Sequence, residues 1–291
     1  MAVTGDWQVS YRGLDLGVGS PYTLVQAIEG LMDYPGVVTE DQPRLRQHGL
    51  TPGADFLSGR STVWQVQVSI RDLVGFAAAW SALRRALSPG METEAPLIFR
   101  IPGVADGGVR RIVGRPRRLS MPIGPDHVFG VGTVTIQFDA SDPRIYDDVE
   151  STVSTDLAAA VTGHAWPQTW PMDWGGASTS GIVTATNEGT YAAPWTATIT
   201  GPVVNPSIEN VDTGQALNFS ANGGLALAVG ETLVIDSATR TALLGGTASR
   251  YDRLASPVSW WDLDPGDTRL RFGGSTTGTP TMAVTWRSAW I

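Results

Sequence analysis

The chain has 291 residues, which exceeds the usual size of one domain and predicts two domains, each able to bury its own core. It contains no cysteine, so disulfides, thiolate metal sites and thiol catalysis are excluded. The formal net charge of −8 argues against a protein that coats nucleic acid, because contacts with phosphate need a positive surface.

Composition predicts a mainly β fold. The chain has 34 glycines and 19 prolines beside 16% charged residues, a balance typical of many short strands and turns. The N-terminus enters strand-like sequence without a basic and apolar leader, and no run approaches the roughly 18 apolar residues of a membrane span. We therefore expect synthesis in the cytoplasm, a soluble chain and no membrane insertion.

One helix is predicted in the first half, over residues 72–88. Asp72 can cap it, and apolar side chains follow at helical spacing. The stop signal is Ser88-Pro-Gly90. The apolar positions of this helix are Leu73, Phe76, Ala77, Trp80, Leu83 and Leu87.

Two strands flank this helix in the sequence and alternate strictly between apolar and polar residues. They cover residues 62–70 and the end of a segment that runs over 127–140. Their polar positions carry Gln, Thr and Ser, whereas freely solvated strands usually carry Lys, Glu or Arg. We expect this face to meet another subunit or to line a lumen, and an ordinary exposed face is the alternative. The candidate residues are Gln65, Gln67, Thr133, Thr135 and Gln137.

The segment Pro35–Gly59 has little apolar periodicity and many turn formers. It predicts a hairpin or arm that embraces a neighbouring subunit, and Arg44 and Arg46 within it are candidate interface residues. We call this segment the arm.

The domain boundary is predicted after Ala140, which gives a first domain over 1–148, a linker or strap over 149–180 and a second domain over 181–291. Within the linker, Trp166, Trp170 and Trp174 recur every four residues among prolines that break any helix. They favour an extended strap on the second domain, and a saccharide-stacking platform is the alternative.

The second domain reads as short strands throughout, which predicts a two-sheet β-sandwich. Its end contains segments 257–261, 268–272 and 282–286, followed by Trp290-Ile291. We expect Trp260 or Trp261, Trp286 and Trp290 to pack in the core and edges of this sandwich.

No residue pattern points to an enzyme class. His48, His127 and His164 lack the spacing of metal ligands, and Asp262, Asp264 and Asp267 read as a turn rather than as a calcium site or glycosidase pair. We expect no catalytic residue, metal or cofactor. A cluster of arginines is expected to form ion pairs with a neighbouring subunit rather than to bind nucleic acid: Arg110, Arg111, Arg115, Arg117 and Arg118.

The second half resembles the C-terminal domain of siphovirus-type distal tail proteins over about 110 residues. The motifs that carry this resemblance, in order, are Asn187–Thr190, Pro194–Pro202, Asn205–Asn210, Thr213–Leu217, Gly230–Asp236, Ser259–Gly266 and Trp286–Trp290.

The resemblance implies a fold and a role. The first domain would be a β domain with one α-helix, related to tail-tube proteins, and the second a galectin-like β-sandwich. The chain would form a homo-hexameric ring at the distal end of the virion tail, between the tail tube protein and the tail-tip hub proteins. The tape measure protein is a further possible partner, and DNA would only pass through as cargo.

Two other classes of function stay open from the sequence. The sandwich could be a carbohydrate-binding or receptor-binding module, using Trp166, Trp170 or Trp174. A glycoside hydrolase would need two convergent carboxylates about 5 to 9 Å apart.

Overall fold

The computed structural model describes residues 3–88, 93–158, 181–276 and 278–291. The chain divides into two compact units. The first unit comprises Met1–Val149 with Trp290–Ile291, and the second comprises Glu150–Ala289. Both are mainly β, as the composition predicts. Of the helices in the described ranges, none combines the length and the hydropathy that crossing a membrane requires.

The described residues between Gln8 and Asp147 in the first unit form twelve strands and one α-helix. The strands are β1 Gln8–Tyr11, β2 Leu14–Gly17, β3 Tyr22–Leu24, β4 Val37–Thr39, β5 Gln42–Pro43, β6 Leu50–Thr51, β7 Asp55–Leu57, β8 Arg60–Ser69, β9 Ala95–Arg100, β10 Arg110–Ser120, β11 Val131–Ala140 and β12 Ile145–Asp147, and the helix is α1 Leu73–Ala86.

The main sheet of this unit is antiparallel, in the order β2-β1-β9-β10-β11-β8-β3. Alternation in β8 and β11 places one side of each strand in the core, as the sequence predicts. The core also receives one stripe of α1. Among its members are Trp64, Val66, Val68, Phe76, Leu83, Val134, Ile136 and Phe138.

Helix α1 begins where the sequence predicts. The Asp72 carboxylate accepts hydrogen bonds from the backbone N–H groups of Val74 and Gly75, at 3.3 and 2.8 Å. Leu73 and Ala77 were expected on the buried stripe but are exposed. Leu73 lies in the first turn, at the end of the stripe, and Ala77 lies one position beyond Phe76, on the flank that turns to solvent.

Strand β11 begins later than expected, at Val131, because residues 125–129 form a short 3₁₀ helix. Gly130 joins the two elements with a φ of 71°. A Cβ atom at Gly130 would lie 1.8 Å from the carbonyl oxygen of Ile70, so only glycine fits this turn. His127 therefore lies in the 3₁₀ helix and not at a strand start, and it makes edge contacts with the Phe76 and Trp80 rings.

The second unit is a two-sheet β-sandwich. Its strands are β13 Ser151–Asp156, β14 Ile182–Asn187, β15 Trp195–Thr200, β16 Val203–Asn210, β17 Ala216–Asn218, β18 Ala226–Leu227, β19 Thr232–Asp236, β20 Thr241–Leu244, β21 Ala248–Ser249, β22 Gly266–Ser275 and β23 Thr281–Trp286. The last strand, β24 Ala289–Trp290, pairs instead with β12 of the main sheet. One sheet has the order β13-β23-β15-β19-β20-β21, and the other has the order β14-β22-β16-β17 with β18 on β16.

Three details of this unit differ from the sequence-based expectation. Ser151–Asp156 was assigned to the linker but forms β13, an edge strand with few apolar residues and therefore a weak periodic signal. Residues 226–235 were expected as one strand but a turn at Ala228–Glu231 divides them. Residues 257–261 form no strand, and the Trp261 carbonyl accepts a hydrogen bond from the Trp195 indole.

The last tryptophan does not pack in the sandwich, contrary to expectation. Trp290 is 4% exposed and belongs to the core of the first unit. Its indole N–H donates to the Asp106 carboxylate at 3.0 Å, and the Arg110 guanidinium lies 3.8 Å from its ring centroid. These contacts are more than 170 residues away in the chain, so local sequence carries no signal for them. Trp261 and Trp286 are buried in the second unit as predicted.

We predict that Trp290→Ala lowers the unfolding free energy of the first unit by about 3 to 5 kcal/mol, because it leaves a large cavity and frees two polar partners. Denaturant unfolding followed by circular dichroism measures this change. Val229→Ala, at an exposed position of the second unit, should change stability by less than about 0.5 kcal/mol. Equal stability of the two variants would contradict the assignment of Trp290 to a core.

Candidate functional site

The first candidate surface is the face of β8 and β11 that points away from the core. Register brings the predicted residues together: Gln67 lies opposite Thr133, and Gln65 lies opposite Thr135. Gln137 follows on the same face, opposite Val63. All of these side chains are half-buried, and the reverse side of the same strands is fully packed in the core. We call this surface the polar face, defined by Gln65, Gln67, Thr133, Thr135 and Gln137.

The neighbouring strands extend the polar face with further uncharged residues. Thr23 of β3 lies opposite Gln67, and Ser120 of β10 lies opposite Thr135. Sequence reasoning missed both, because the pairing of β3 with β8 and the register of β10 have no local signature. The polar face therefore spans four strands.

Charge lies toward one end of the polar face, where Asp139 belongs to β11 and the exposed Glu29 and Arg118 lie opposite Val63 and Gln137. There the Asp139 carboxylate accepts hydrogen bonds from the Ser61 hydroxyl at 2.7 Å and the Gln137 amide at 3.2 Å. The Arg117 guanidinium lies 3.9 Å from the same carboxylate. The negative charge of Asp139 is thus compensated locally, and the centre of the face has no ionised side chain.

The arm is the second candidate surface, and it forms the hairpin that the sequence predicts. Strands β4 and β7 pair at its base, and β5 and β6 pair farther out. Every residue over 36–56 is exposed. Leu45 is 93% exposed at the tip, between Arg44 and Arg46, and the backbone N–H of Arg44 donates to the Gly49 carbonyl at 3.2 Å to close the loop.

A buried arginine holds the root of the arm. Arg60, the first residue of β8, is 3% exposed. Its Nη1 donates to the carbonyls of Gly30, Leu31 and Asp33 at 3.1, 2.8 and 2.8 Å, and its Nε donates to Pro143 at 2.7 Å. Burial lowers the pKa of the Arg60 guanidinium, and the nearby Asp33 carboxylate partly offsets this effect. Both ends of the arm are therefore tied to one charged group.

Sequence reasoning missed Arg60, although the alternation of β8 places this residue on the inward side of the strand. Arg60 shares its side of the strand with Trp64, Val66 and Val68, which are all buried. An arginine at an inward position requires several acceptors, and here backbone carbonyls supply them.

The arginine cluster does not have the expected role at its first two positions. Arg110 forms an ion pair with Asp147, and Arg111 forms one with Asp148 at 2.5 Å. Both partners lie in the same chain, not in a neighbouring subunit. The cause is β12, which pairs with β10 so that Arg110 lies opposite Asp147.

The remaining candidates give no assembled chemical site. Within the described ranges, no group of three or more His, Asp or Glu is arranged to hold a metal ion. The Asp262 carboxylate accepts from the Ser237 hydroxyl, and the Asp267 carboxylate accepts from the Thr186 hydroxyl. Trp166, Trp170, Trp174 and His164 lie outside the described residues, so a saccharide platform there stays a prediction.

Two further observations bear on catalysis. The pKa of Asp212 is lowered, first by the backbone N–H of Arg269 and then by its side chain, whereas a general acid needs a raised pKa. A cavity of about 320 Å³ lies beside β2. Of the described residues that line it, Asp15 is the one carboxylate, and a glycosidase requires two.

We predict that Arg60→Met loosens the arm. The substitution leaves several partly buried carbonyls without donors, so the unfolding free energy of the first unit should fall by about 2 to 4 kcal/mol. Amide exchange at residues 30–34 and 58–62 should accelerate, which hydrogen-exchange mass spectrometry measures. Arg46→Met, at the exposed tip, is the control and should leave both readouts unchanged; an Arg60→Met protein with the same stability as that control would rule out the clamp.

Comparison with known proteins shows what this chain is similar to. The profile of the family described as siphovirus-type tail component, C-terminal domain, matches residues 188–290. No curated protein sequence matches the chain. Among solved structures, the SPP1 Dit protein (gp 19.1), a hub of the adsorption apparatus in phages that infect Gram-positive bacteria, is similar. It has 17% identity and a TM-score of 0.64, over 98% of this chain and 99% of that chain.

Two structures of the phage P2 baseplate in its activated conformation are also similar. The one with Ca has 9% identity and a TM-score of 0.50, over 96% of this chain and 97% of that chain. The one with Sr has 8% identity and a TM-score of 0.50, over 96% of each chain. Identities this low show the shared fold, and the family match covers most of the second unit. The resemblance to siphovirus-type distal tail proteins is thus confirmed: residues 188–290 match the C-terminal domain of siphovirus-type tail components, and the chain has the fold of SPP1 Dit.

Proposed function

We propose that this protein is a tail-tip hub whose copies assemble into a closed ring, with six copies as the family resemblance implies. The ring joins the tail tube protein to the tip or baseplate proteins at the distal end of the virion tail. It has a structural role and catalyses no reaction. The tape measure protein is a further candidate partner, and DNA passes through the hole.

The observation that carries this proposal is the arm. It exposes large apolar side chains along its length, although a two-stranded ribbon alone is marginally stable in water. Apolar residues displayed on a projecting element mark a contact with another protein. In a closed ring of identical chains, each arm can be covered by the next copy. The exposed apolar residues of the arm are Val37, Val38, Leu45, Leu50 and Phe56.

The polar face is suited to line the central hole of the proposed ring. Its glutamine and threonine side chains are polar and half-buried, and they lie on strands fixed by a packed core on the reverse side. Arg118 lies at one end of the face, opposite Gln137. The two central rows, Gln65 with Thr135 and Gln67 with Thr133, contain no cationic group, so they offer no fixed site that would retain a passing phosphate backbone. Uncompensated carboxylates there would instead repel each other around a closed ring.

The first test of this function is the mass of the purified chain in solution. We expect a species of six times 30.9 kDa by light scattering, with dissociation on dilution. The ring would be refuted by a mass of 30.9 kDa in solution at high concentration, together with single, unassociated copies in assembled particles.

We also predict that Gln67→Glu combined with Thr135→Glu weakens the ring. Each copy would add two negative charges to a shared hole, so the dissociation concentration should rise by about tenfold or more at low salt and recover partly at high salt. The matched control is Ala78→Glu with Ser81→Glu, which places two charges on the exposed side of α1. If both double variants assembled like the unmodified chain, the polar face would not line the hole.

A further inference from the structure

A ring of identical chains with head-to-tail contacts needs two complementary surfaces on each chain. The arm supplies one of them, under the proposed function. The receiving surface must then be an exposed apolar site elsewhere on the same chain.

One groove of the first unit has these properties. Its volume is about 350 Å³, and buried side chains of Leu31, Ile101 and Val104 form its floor. Trp7 and Met32, which are 46% and 65% exposed, contribute to its lining. Tryptophan and methionine are both enriched at protein interfaces. We call this site the Trp7 groove.

The backbone at Trp7 is fixed in an uncommon conformation. Its φ is 57°, which non-glycine residues rarely adopt. The Trp7 N–H donates to the Arg100 carbonyl at 2.8 Å, and the Trp7 carbonyl accepts from Val18 at 3.2 Å. A Cβ atom at Gly17 would lie 1.8 Å from the Trp7 oxygen, so glycine is required where the two segments meet. The backbone therefore holds the half-exposed Trp7 indole in a fixed position.

The opposite wall is fixed as well. Met32 lies between Leu31 and Asp33, whose carbonyls both accept hydrogen bonds from Arg60. The same guanidinium thus holds the root of the arm and one wall of the Trp7 groove. A preformed groove binds its ligand with a smaller loss of conformational entropy.

The arm carries a ridge that matches this groove. Val38 and Phe56 are directly opposite each other on β4 and β7, so their side chains lie on one face of the ribbon. Each is 56% exposed. Because both the ridge and Met32 are exposed in the single chain, the arm does not fill the groove of its own copy.

We infer that the Val38–Phe56 ridge of one copy packs into the Trp7 groove of the next copy. The ridge is convex and apolar, and the Trp7 groove is concave and apolar, so the two surfaces are complementary. It assigns both halves of the ring contact to the first unit. The inference rests on the proposed ring, and it names the residues through which neighbouring copies bind each other.

Crosslinking can test this pairing cleanly, because the chain has no cysteine. In the full chain, Met32→Cys combined with Val38→Cys leaves Trp7 and Phe56 intact and places thiols at two exposed positions. A short bismaleimide should link neighbouring copies, so a denaturing gel shows a ladder of multiples. The control, Met32→Cys combined with Phe129→Cys, has a second position that is more exposed than Val38 and should give no ladder.

Each outcome has a defined meaning. A ladder with Val38→Cys and none with Phe129→Cys supports the pairing. A ring-sized mass without a ladder, a ladder in both variants, or only internally linked single chains would overturn the pairing and leave the ring intact. A single-chain mass for the unmodified protein would overturn the ring itself.

A double-mutant cycle supplies a second readout that does not depend on crosslinking. Trp7→Ala and Phe56→Ala should each raise the dissociation concentration by about tenfold or more, and the double variant should add little to either one. Circular dichroism checks that the variants fold. If the double variant raised the dissociation concentration by the product of the two single factors, Trp7 and Phe56 would not contact each other across the interface.

Discussion

The pairing of β8 with β11 is the constraint on which the first unit depends. Ten residues of each strand pair without interruption, from Ser69 opposite Val131 to Arg60 opposite Ala140. Because side chains alternate between the two faces, a slip of one residue would bury the glutamines and threonines and expose the core. The same register therefore fixes the core, creates the polar face and places Arg60 inward at the root of the arm.

Two buried arginines of this unit, Arg60 and Arg110, lie among apolar side chains. Arg60 is buried where four carbonyls accept from it, and Arg110 lies over the Trp290 ring while paired with Asp147. Buried ions of this kind add little net stability, but removing one partner is costly because the other stays unpaired. They specify one position for the arm root and one for the end of the chain. The apolar arm can then project from a fixed base.

The sequence contained enough information for the elements with strong local periodicity. Helix α1, β8 and β11 were predicted because apolar residues recur along them at one spacing, and the sandwich followed from strand density and from ordered motifs. The edge strand β13, the role of Arg60 and the position of Trp290 depend on contacts between distant residues. Apart from the inward position of Arg60 on β8, such contacts leave no trace in a local pattern, so the ion pairs of Arg110 and Arg111 were also assigned to the wrong partner.

The central claim is that the first unit forms a ring around a hole lined by the polar face. Electron microscopy of the purified full chain, at a resolution that separates strands, tests this claim most directly. We expect a six-fold ring in which β8 and β11 border the hole and Gln65, Gln67, Thr133 and Thr135 face it. A ring with these residues on its outer surface, or single particles without rotational symmetry at high concentration, would contradict the account.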